Sequence, residues 1–197
     1  MCKMASFVLT KDNAYWSKQT DSHEEIIEEH GLKELGLAGK VGILRVEIVP
    51  KRGDYMQPID QWVFGYDQDM LPDWADKETD ERRTRAALRE WYSACFVPAG
   101  VERAEVKAGD VVKLVWGGTV NAVWGGTVNE VWGGTVNEVC GGTVNEVWGG
   151  TVNEVRGGTV NEVWGGTVNA VRGGTVNEVW GGTVNEVWGG TVNAVRG

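Results

Sequence analysis

Histidine and cysteine are scarce in this sequence of 197 residues, which holds two histidines and three cysteines. Cys2, Cys95 and Cys140 have neither metal-binding nor disulfide spacing, so we expect reduced thiols. The stretch His-Glu-Glu-Ile-Ile, which begins at His23, lacks the second histidine that a zinc-binding helix carries four residues on. We therefore interpret His23 and His30 as residues near the two ends of a helix, and we expect no metal and no cofactor.

Positive charge and long apolar runs are also in short supply. The chain has 19 Lys and Arg against 28 Asp and Glu, a net charge of −9, which argues against a nucleic-acid-binding protein. It contains no apolar run of about eighteen residues, so we expect no membrane span. The first ten residues lack the apolar core of a signal peptide. Together with the reduced thiols, this predicts a cytoplasmic protein. Because nucleophile triads and phosphate loops are also absent, we expect no catalytic residue.

The second half of the chain is instead an octapeptide repeat, Val-Trp-Gly-Gly-Thr-Val-Asn-Glu, that runs from Val115 to Gly197. A fixed short period of this kind is typical of solenoid proteins. Each unit supplies a stretch rich in β-branched and aromatic residues, which predicts a strand, and a Gly-Gly pair, which predicts a turn. Two glycines in every unit would cost a helix about 2 kcal/mol per unit.

Ten Gly-Gly-Thr-Val-Asn units make up this array. Two units per coil predict a flattened parallel β-solenoid of five coils, roughly 24 Å high at ~4.8 Å per strand. Three units per coil, which would give a triangular cross-section, remain an alternative.

Two positions of the unit vary, and they predict which side chains face solvent. The Trp position is also occupied by Cys140, Arg156, Arg172 and Arg196, and the Glu position by Ala122, Ala170 and Ala194. Charged residues are tolerated at both positions, so we expect both to face water. Among the cysteines, Cys140 is then the thiol expected to react.

Strict alternation from these outward positions predicts that Thr127, Asn129 and Val131 point inward and that Val128 points outward. A bend at the asparagine is the alternative, because it would bring both valines inside. Stacked asparagines are expected to bond along the axis as a ladder.

The outward tryptophans are the candidate binding surface of this protein. We expect them to stack coil on coil beside a column of glutamates. This surface provides solubility and strand register, or it is a docking face for a protein or carbohydrate partner. Its residues are Trp124, Trp132, Trp148, Trp164, Trp180 and Trp188.

The Val-[Trp/Cys/Arg]-Gly-Gly-Thr-Val-Asn-[Glu/Ala] units resemble the octapeptide-repeat β-solenoids of uncharacterised proteins from gut bacteria and their phages. They are also similar in architecture to pentapeptide-repeat proteins. The first resemblance implies a solenoid without catalytic residues, in a cytoplasmic or virion-associated protein. The second implies an acidic DNA mimic that inhibits a nucleic-acid enzyme.

Residues 1–100 have ordinary complexity and predict a small α+β domain of order β-α-β-β-α. Its helices are expected from Ser22, as N-cap, to His30 and from about Asp76 to Cys95. Residues 101–114 are expected to form a degenerate first coil that caps the solenoid of residues 115–197. No comparable cap is evident after Val195, so we expect end-to-end pairing with a second copy.

The fold class is therefore mainly β, and the leading functional hypothesis is a non-enzymatic structural or interaction protein associated with a phage or prophage. The DNA mimic is the alternative. A third hypothesis places an enzyme in residues 1–100, with Asp67, Asp69 and His23 close together in space.

Overall fold

The computed structural model describes residues 5–34 and 41–196. The chain divides into two compact units, Met1–Ser93 and Ala94–Gly197. The first is a small α+β unit and the second a parallel β-solenoid, so the predicted fold class is confirmed. Neither helix in the described part of the chain has the length and apolarity that a membrane span needs.

The first unit contains a four-stranded antiparallel sheet of order β2-β1-β3-β4. The expected helices and strands are all present, and the short strand β2 is an addition. Edge-on contact between Trp62 and Trp91, whose ring centroids are 6.4 Å apart, contributes to its buried interior. The elements are β1 Ala5–Leu9, β2 Ala14–Tyr15, α1 His23–Glu29, β3 Leu44–Val49, β4 Val63–Tyr66 and α2 Lys77–Cys95.

Ser22 caps α1 as predicted, since its side chain accepts a hydrogen bond from the backbone N–H of Glu25. The reciprocal half of the cap differs from the expected capping box. The backbone N–H of Ser22 donates to the hydroxyl oxygen of Thr20, and the Ser22 hydroxyl donates to Glu24. These bonds fix the start of the helix, where His23 lies.

The solenoid is built from two octapeptides per coil. Strand partners are parallel and lie 16 residues apart, as in the pairing of Thr127 with Thr143 and of Thr135 with Thr151. The alternative of three units per coil is therefore wrong. The strands are β5 Phe96–Pro98, β6 Glu102–Val106, β7 Val111–Val123, β8 Thr127–Val139, β9 Thr143–Val147, β10 Thr151–Val155, β11 Thr159–Val163, β12 Thr167–Val171, β13 Thr175–Val179, β14 Thr183–Val187 and β15 Thr191–Val195.

A degenerate coil precedes the regular repeats. Both β5 and β6 pair in parallel with β7, so strand pairing already begins at Phe96. From β9 onward, odd-numbered strands stack on one side of the solenoid and even-numbered strands on the other.

Valine dominates the buried core of this unit, because both valines of the octapeptides up to Val179 point inward. Val128 and Val131 are each 0% exposed, whereas Thr127 and Asn129 are only half-buried. The prediction of strict alternation is therefore wrong, and the alternative, a bend at the asparagine, is confirmed. In the strand pairing, Thr127, Val128, Glu130 and Val131 have partners one coil away, whereas Asn129 is skipped. Alternation would leave one valine per unit in water, at a cost of roughly 1.5–3 kcal/mol each.

Asparagine ladders run along both sides of the solenoid, as predicted. Each side-chain N–H donates to the side-chain oxygen of the asparagine one coil earlier, at 2.8 to 3.1 Å. At the base of one ladder, Asn121 donates instead to Glu102. The bend that brings both valines inside thus leaves the asparagine side chains aligned along the axis.

Alanine at Gly126 should destabilise the protein, whereas alanine at the adjacent Gly125 should not. A Cβ on Gly126 would collide with the backbone oxygens of Lys107 and Asp110, the latter at 2.7 Å. A Cβ on Gly125 would only reach ordinary contact with Ala108 at 3.5 Å. In urea unfolding we expect Gly126→Ala to lose about 1–3 kcal/mol or more, and Gly125→Ala to stay within about 0.5 kcal/mol. Equal losses would contradict this account of the turn.

Alanine at Asn161 should cost more than alanine at Asn193. Asn161 donates to Asn145 and accepts from Asn177, so its removal breaks two ladder bonds. Asn193 makes one ladder bond and is exposed. We expect a loss of about 1–3 kcal/mol for Asn161→Ala and a smaller one for Asn193→Ala. Indistinguishable urea midpoints would show that the ladder contributes nothing.

Candidate functional site

The 16-residue coil sorts the Trp position into two separate columns. One, which we call the tryptophan column, contains Trp132, Trp148, Trp164 and Trp180. The other, the mixed column, contains Trp124, Cys140, Arg156, Arg172 and Trp188. The six tryptophans predicted to share one surface therefore do not. Trp124 and Trp188 lie at opposite ends of the mixed column, separated by a cysteine and two arginines.

Within the tryptophan column, Trp148, Trp164 and Trp180 stack coil on coil, as predicted. Ring centroids of Trp148 and Trp164 are 5.2 Å apart with planes inclined by 8°, and Trp164 and Trp180 repeat this at 5.2 Å and 6°. The guanidinium of Arg196 lies 4.7 Å from the ring centroid of Trp180. Because neighbouring rings cover both faces of Trp164, solvent reaches mainly ring edges, and this side chain is 36% exposed.

Glutamates two residues earlier hold the indoles in place. The indole N–H of Trp132 donates to Glu130, and that of Trp148 donates to Glu146 at 2.7 Å. The glutamate column beside the tryptophans has no alanine from β8 to β13. It consists of Glu130, Glu146, Glu162 and Glu178. With Arg196 as the single arginine on this edge, these four glutamates leave a net charge of −3.

The mixed column is close to neutral because its charges pair with each other. The Nε of Arg156 lies 2.6 Å from a carboxylate oxygen of Glu154, and its Nη2 lies 3.2 Å from one of Glu138. The hydrogen bond from Arg156 lowers the pKa of Glu154, and Arg172 adds to this effect. Three glutamates and two arginines give this edge a net charge of −1, so the two edges differ in chemistry.

The surroundings of Cys140 disfavour its thiolate, which weighs against the reactivity expected from its outward position. Burial raises the pKa of the Cys140 thiol, and the hydrogen bond to the Glu138 carboxylate raises it further. The sulfur lies 3.5 Å from the carboxylate oxygen Oε2 of Glu138. A raised pKa reduces the thiolate fraction at neutral pH.

A second candidate site lies within the first unit, where His23, Glu47 and Asp67 converge. One possible ligand atom from each lies within 4.8 Å of the others. Nδ1 of His23 is 3.1 Å from Oδ2 of Asp67, and Nε2 is 3.1 Å from the carbonyl oxygen of Val46. Burial raises the pKa of Glu47, and the charge of Asp67 raises it further.

This cluster contains only some of the residues that the enzyme hypothesis predicted to lie together. His23 and Asp67 are together, as the enzyme hypothesis expected, but Asp69 is outside the group. Glu47 was missed, because a glutamate on the polar face of an alternating strand gives no local signal. His30 has the predicted role at the end of the helix, where its Nε2 lies 3.1 Å from the carbonyl oxygen of Trp16.

Replacing Glu138 by glutamine should speed alkylation of Cys140 at pH 8. Loss of the carboxylate removes a contribution that raises the pKa of the thiol, so the thiolate fraction at a given pH increases. Glu146→Gln, on the other edge, should leave the rate unchanged. Site-specific iodoacetamide labelling followed by mass spectrometry measures both rates. An unchanged rate in Glu138→Gln would contradict the assigned hydrogen bond.

In comparisons with known proteins, no family model matches the chain. Neither a curated protein nor a solved structure matches it. The chemistry of the two candidate sites therefore follows from their residues and geometry alone.

Proposed function

We propose that the solenoid is a non-enzymatic display scaffold, and that its tryptophan edge binds arginine-bearing surfaces of a partner protein. The tryptophan edge comprises the tryptophan column and the glutamates beside it. The observation that carries this proposal is the contact of Arg196, which packs on Trp180 and lies with its Nε 3.7 Å from Glu178. Cation–π attraction and an ion pair act together on one guanidinium there.

Charge complementarity favours a basic partner. The tryptophan edge carries a net charge of −3, and the residues on the mixed edge neutralise one another more completely. Glutamates on adjacent strands repeat every ~4.8 Å, so several arginines of one partner can reach carboxylates at once. The edges of the indoles add apolar surface beside each carboxylate.

A carbohydrate partner fits this edge less well. Sugars pack on the faces of aromatic rings, and stacking already covers both faces of Trp164. Trp188 is 71% exposed but lies alone at one end of the mixed column. A protein with arginine side chains, which can pair with the glutamates, is therefore the occupant that we propose.

Neutralising two glutamates on the tryptophan edge should weaken binding of an arginine-rich probe, whereas neutralising two glutamates on the mixed edge should leave it unchanged. The probe is a fluorescent nine-residue arginine peptide, and its anisotropy is followed at physiological salt. We expect the double variant Glu146→Gln with Glu162→Gln to weaken binding about tenfold or more, since it loses two charge-assisted contacts. The matched control is Glu138→Gln with Glu154→Gln, which removes the same charge from the mixed edge.

Equal losses in both double variants would indicate attraction to net charge alone and would contradict the proposal. Binding of oligosaccharides without binding of the peptide would also contradict it. Circular dichroism verifies that both variants retain the solenoid.

A DNA mimic is the second candidate, and one observation favours it. Ala122, Ala170, Arg156 and Arg172, which interrupt the acidic pattern in the sequence, all lie on the mixed edge. The glutamates of the tryptophan edge are therefore consecutive from Glu130 to Glu178, and Ala194 ends the row. Their charge density, one per ~4.8 Å, is about a third of that of duplex DNA. Because this charge density is lower than that of DNA, we rank the DNA mimic second. Inhibition of a gyrase or nuclease at micromolar concentration would test it.

We further propose that this scaffold works in a gut bacterium or its phage. The support is the resemblance of the repeat to the octapeptide solenoids described above. Tail genes flanking the coding sequence would agree with a virion-associated role.

A further inference from the structure

We infer that His23, Glu47 and Asp67 form a binding site for a divalent transition-metal ion. One imidazole nitrogen and two carboxylates would coordinate it, and the remaining positions would be open to water. The site lies within the first unit and is independent of binding by the solenoid.

The hydrogen bonds of His23 define the state of its ring. A carbonyl oxygen can only accept, so Nε2 carries a proton and donates it to Val46. In the neutral ring, Nδ1 then presents a lone pair to the Asp67 carboxylate only 3.1 Å away. Two acceptors at this distance require a cation between them, either a proton or a metal ion.

The second carboxylate favours the metal ion over the proton. A proton on Nδ1 balances one negative charge, but Glu47 brings a second charge within 4.8 Å of the same point. A divalent ion balances both. Donation from the other ring nitrogen to a backbone carbonyl is also the usual support of a metal-binding histidine, because it orients the ring and fixes its tautomer.

The surroundings combine a rigid interior with an open side. His23 is 5% exposed, and Glu47 lies within β3, between β1 and β4. Ser6, directly opposite Glu47 on β1, is 4% exposed, and its hydroxyl has no hydrogen-bond partner. The Asp67 side chain is 54% exposed, and a Cβ on Gly65, opposite Glu47 on β4, would meet no atom within 4 Å. An ion can therefore enter from solvent.

The ligand set selects the class of metal. Zn²⁺ with ligands at about 2.0–2.1 Å places tetrahedral neighbours about 3.4 Å apart, close to the 3.1 Å between His23 and Asp67. Imidazole favours zinc and related transition metals, whereas Ca²⁺ and Mg²⁺ prefer shells made of oxygen alone. Three protein ligands with an open position are the arrangement found in catalytic zinc sites.

Titration calorimetry on the full chain, after removal of metal with a chelator, tests this site. We expect one equivalent of Zn²⁺ to bind, and Ca²⁺ at the same concentration not to bind. Asp67→Asn and Glu47→Gln should each lower the affinity for Zn²⁺ at least about tenfold. Asp67→Asn is the primary variant, because its amide can still donate a hydrogen bond to Nδ1 and preserve the packing of His23.

Two variants serve as matched controls. Asp69→Asn removes an exposed carboxylate two residues away, and His30→Gln removes the other histidine of the chain. Both should bind Zn²⁺ like the wild type, and a rise in melting temperature with Zn²⁺ should follow the same pattern. Absence of one-to-one uptake at micromolar Zn²⁺ would overturn the proposal, as would uptake that Asp67→Asn and Glu47→Gln leave unchanged. The cluster would then be a His–Asp ion pair alone.

Discussion

Burial of the two valines in each octapeptide is the constraint on which the solenoid depends. The cluster of buried side chains in the second unit contains valine alone, from Val97 to Val179. A coil of two short strands encloses a narrow interior, which identical β-branched side chains fill uniformly from coil to coil. Tryptophan and glutamate are too large or too polar for this space, so they lie outside. The repeat therefore tolerates substitution only where side chains face water.

The same core sets the register, and the register decides the chemistry of the surface. Because partners are 16 residues apart, each octapeptide stacks on the second unit before it and never on its neighbour in sequence. Units that look interchangeable in the sequence thus belong to two different edges. Cys140, Arg156 and Arg172 replace tryptophan on one edge only, and the other edge keeps tryptophan from Trp132 to Trp180. A short repeat thereby produces two surfaces of different charge.

The period, the strands and the solvent-facing positions were predictable. A position that accepts charged residues cannot lie in the interior, whatever the number of units per coil. The bend at asparagine was not, since alternation assumes a straight strand and only the backbone pairing reveals the skipped residue. The two edges were equally hidden. With three units per coil, Trp124 would have stacked on Trp148 and Arg172, and no pure tryptophan column would exist. The composition of each edge follows from the number of units per coil, a property that octapeptides of near-identical sequence do not encode locally.

In the first unit, too, local sequence patterns do not predict which residues meet at the candidate metal site. Its alternating strand β3 predicts that Glu47 lies on a polar face, and a capping pattern predicts that His23 begins a helix. Neither pattern indicates that the two meet. Antiparallel pairing places Glu47 opposite Gly65, so Asp67, two residues further on, becomes its diagonal neighbour on the same face. The sheet register thus assembles three residues that local motifs keep apart, and the lack of a side chain at Gly65 leaves the cluster open to solvent.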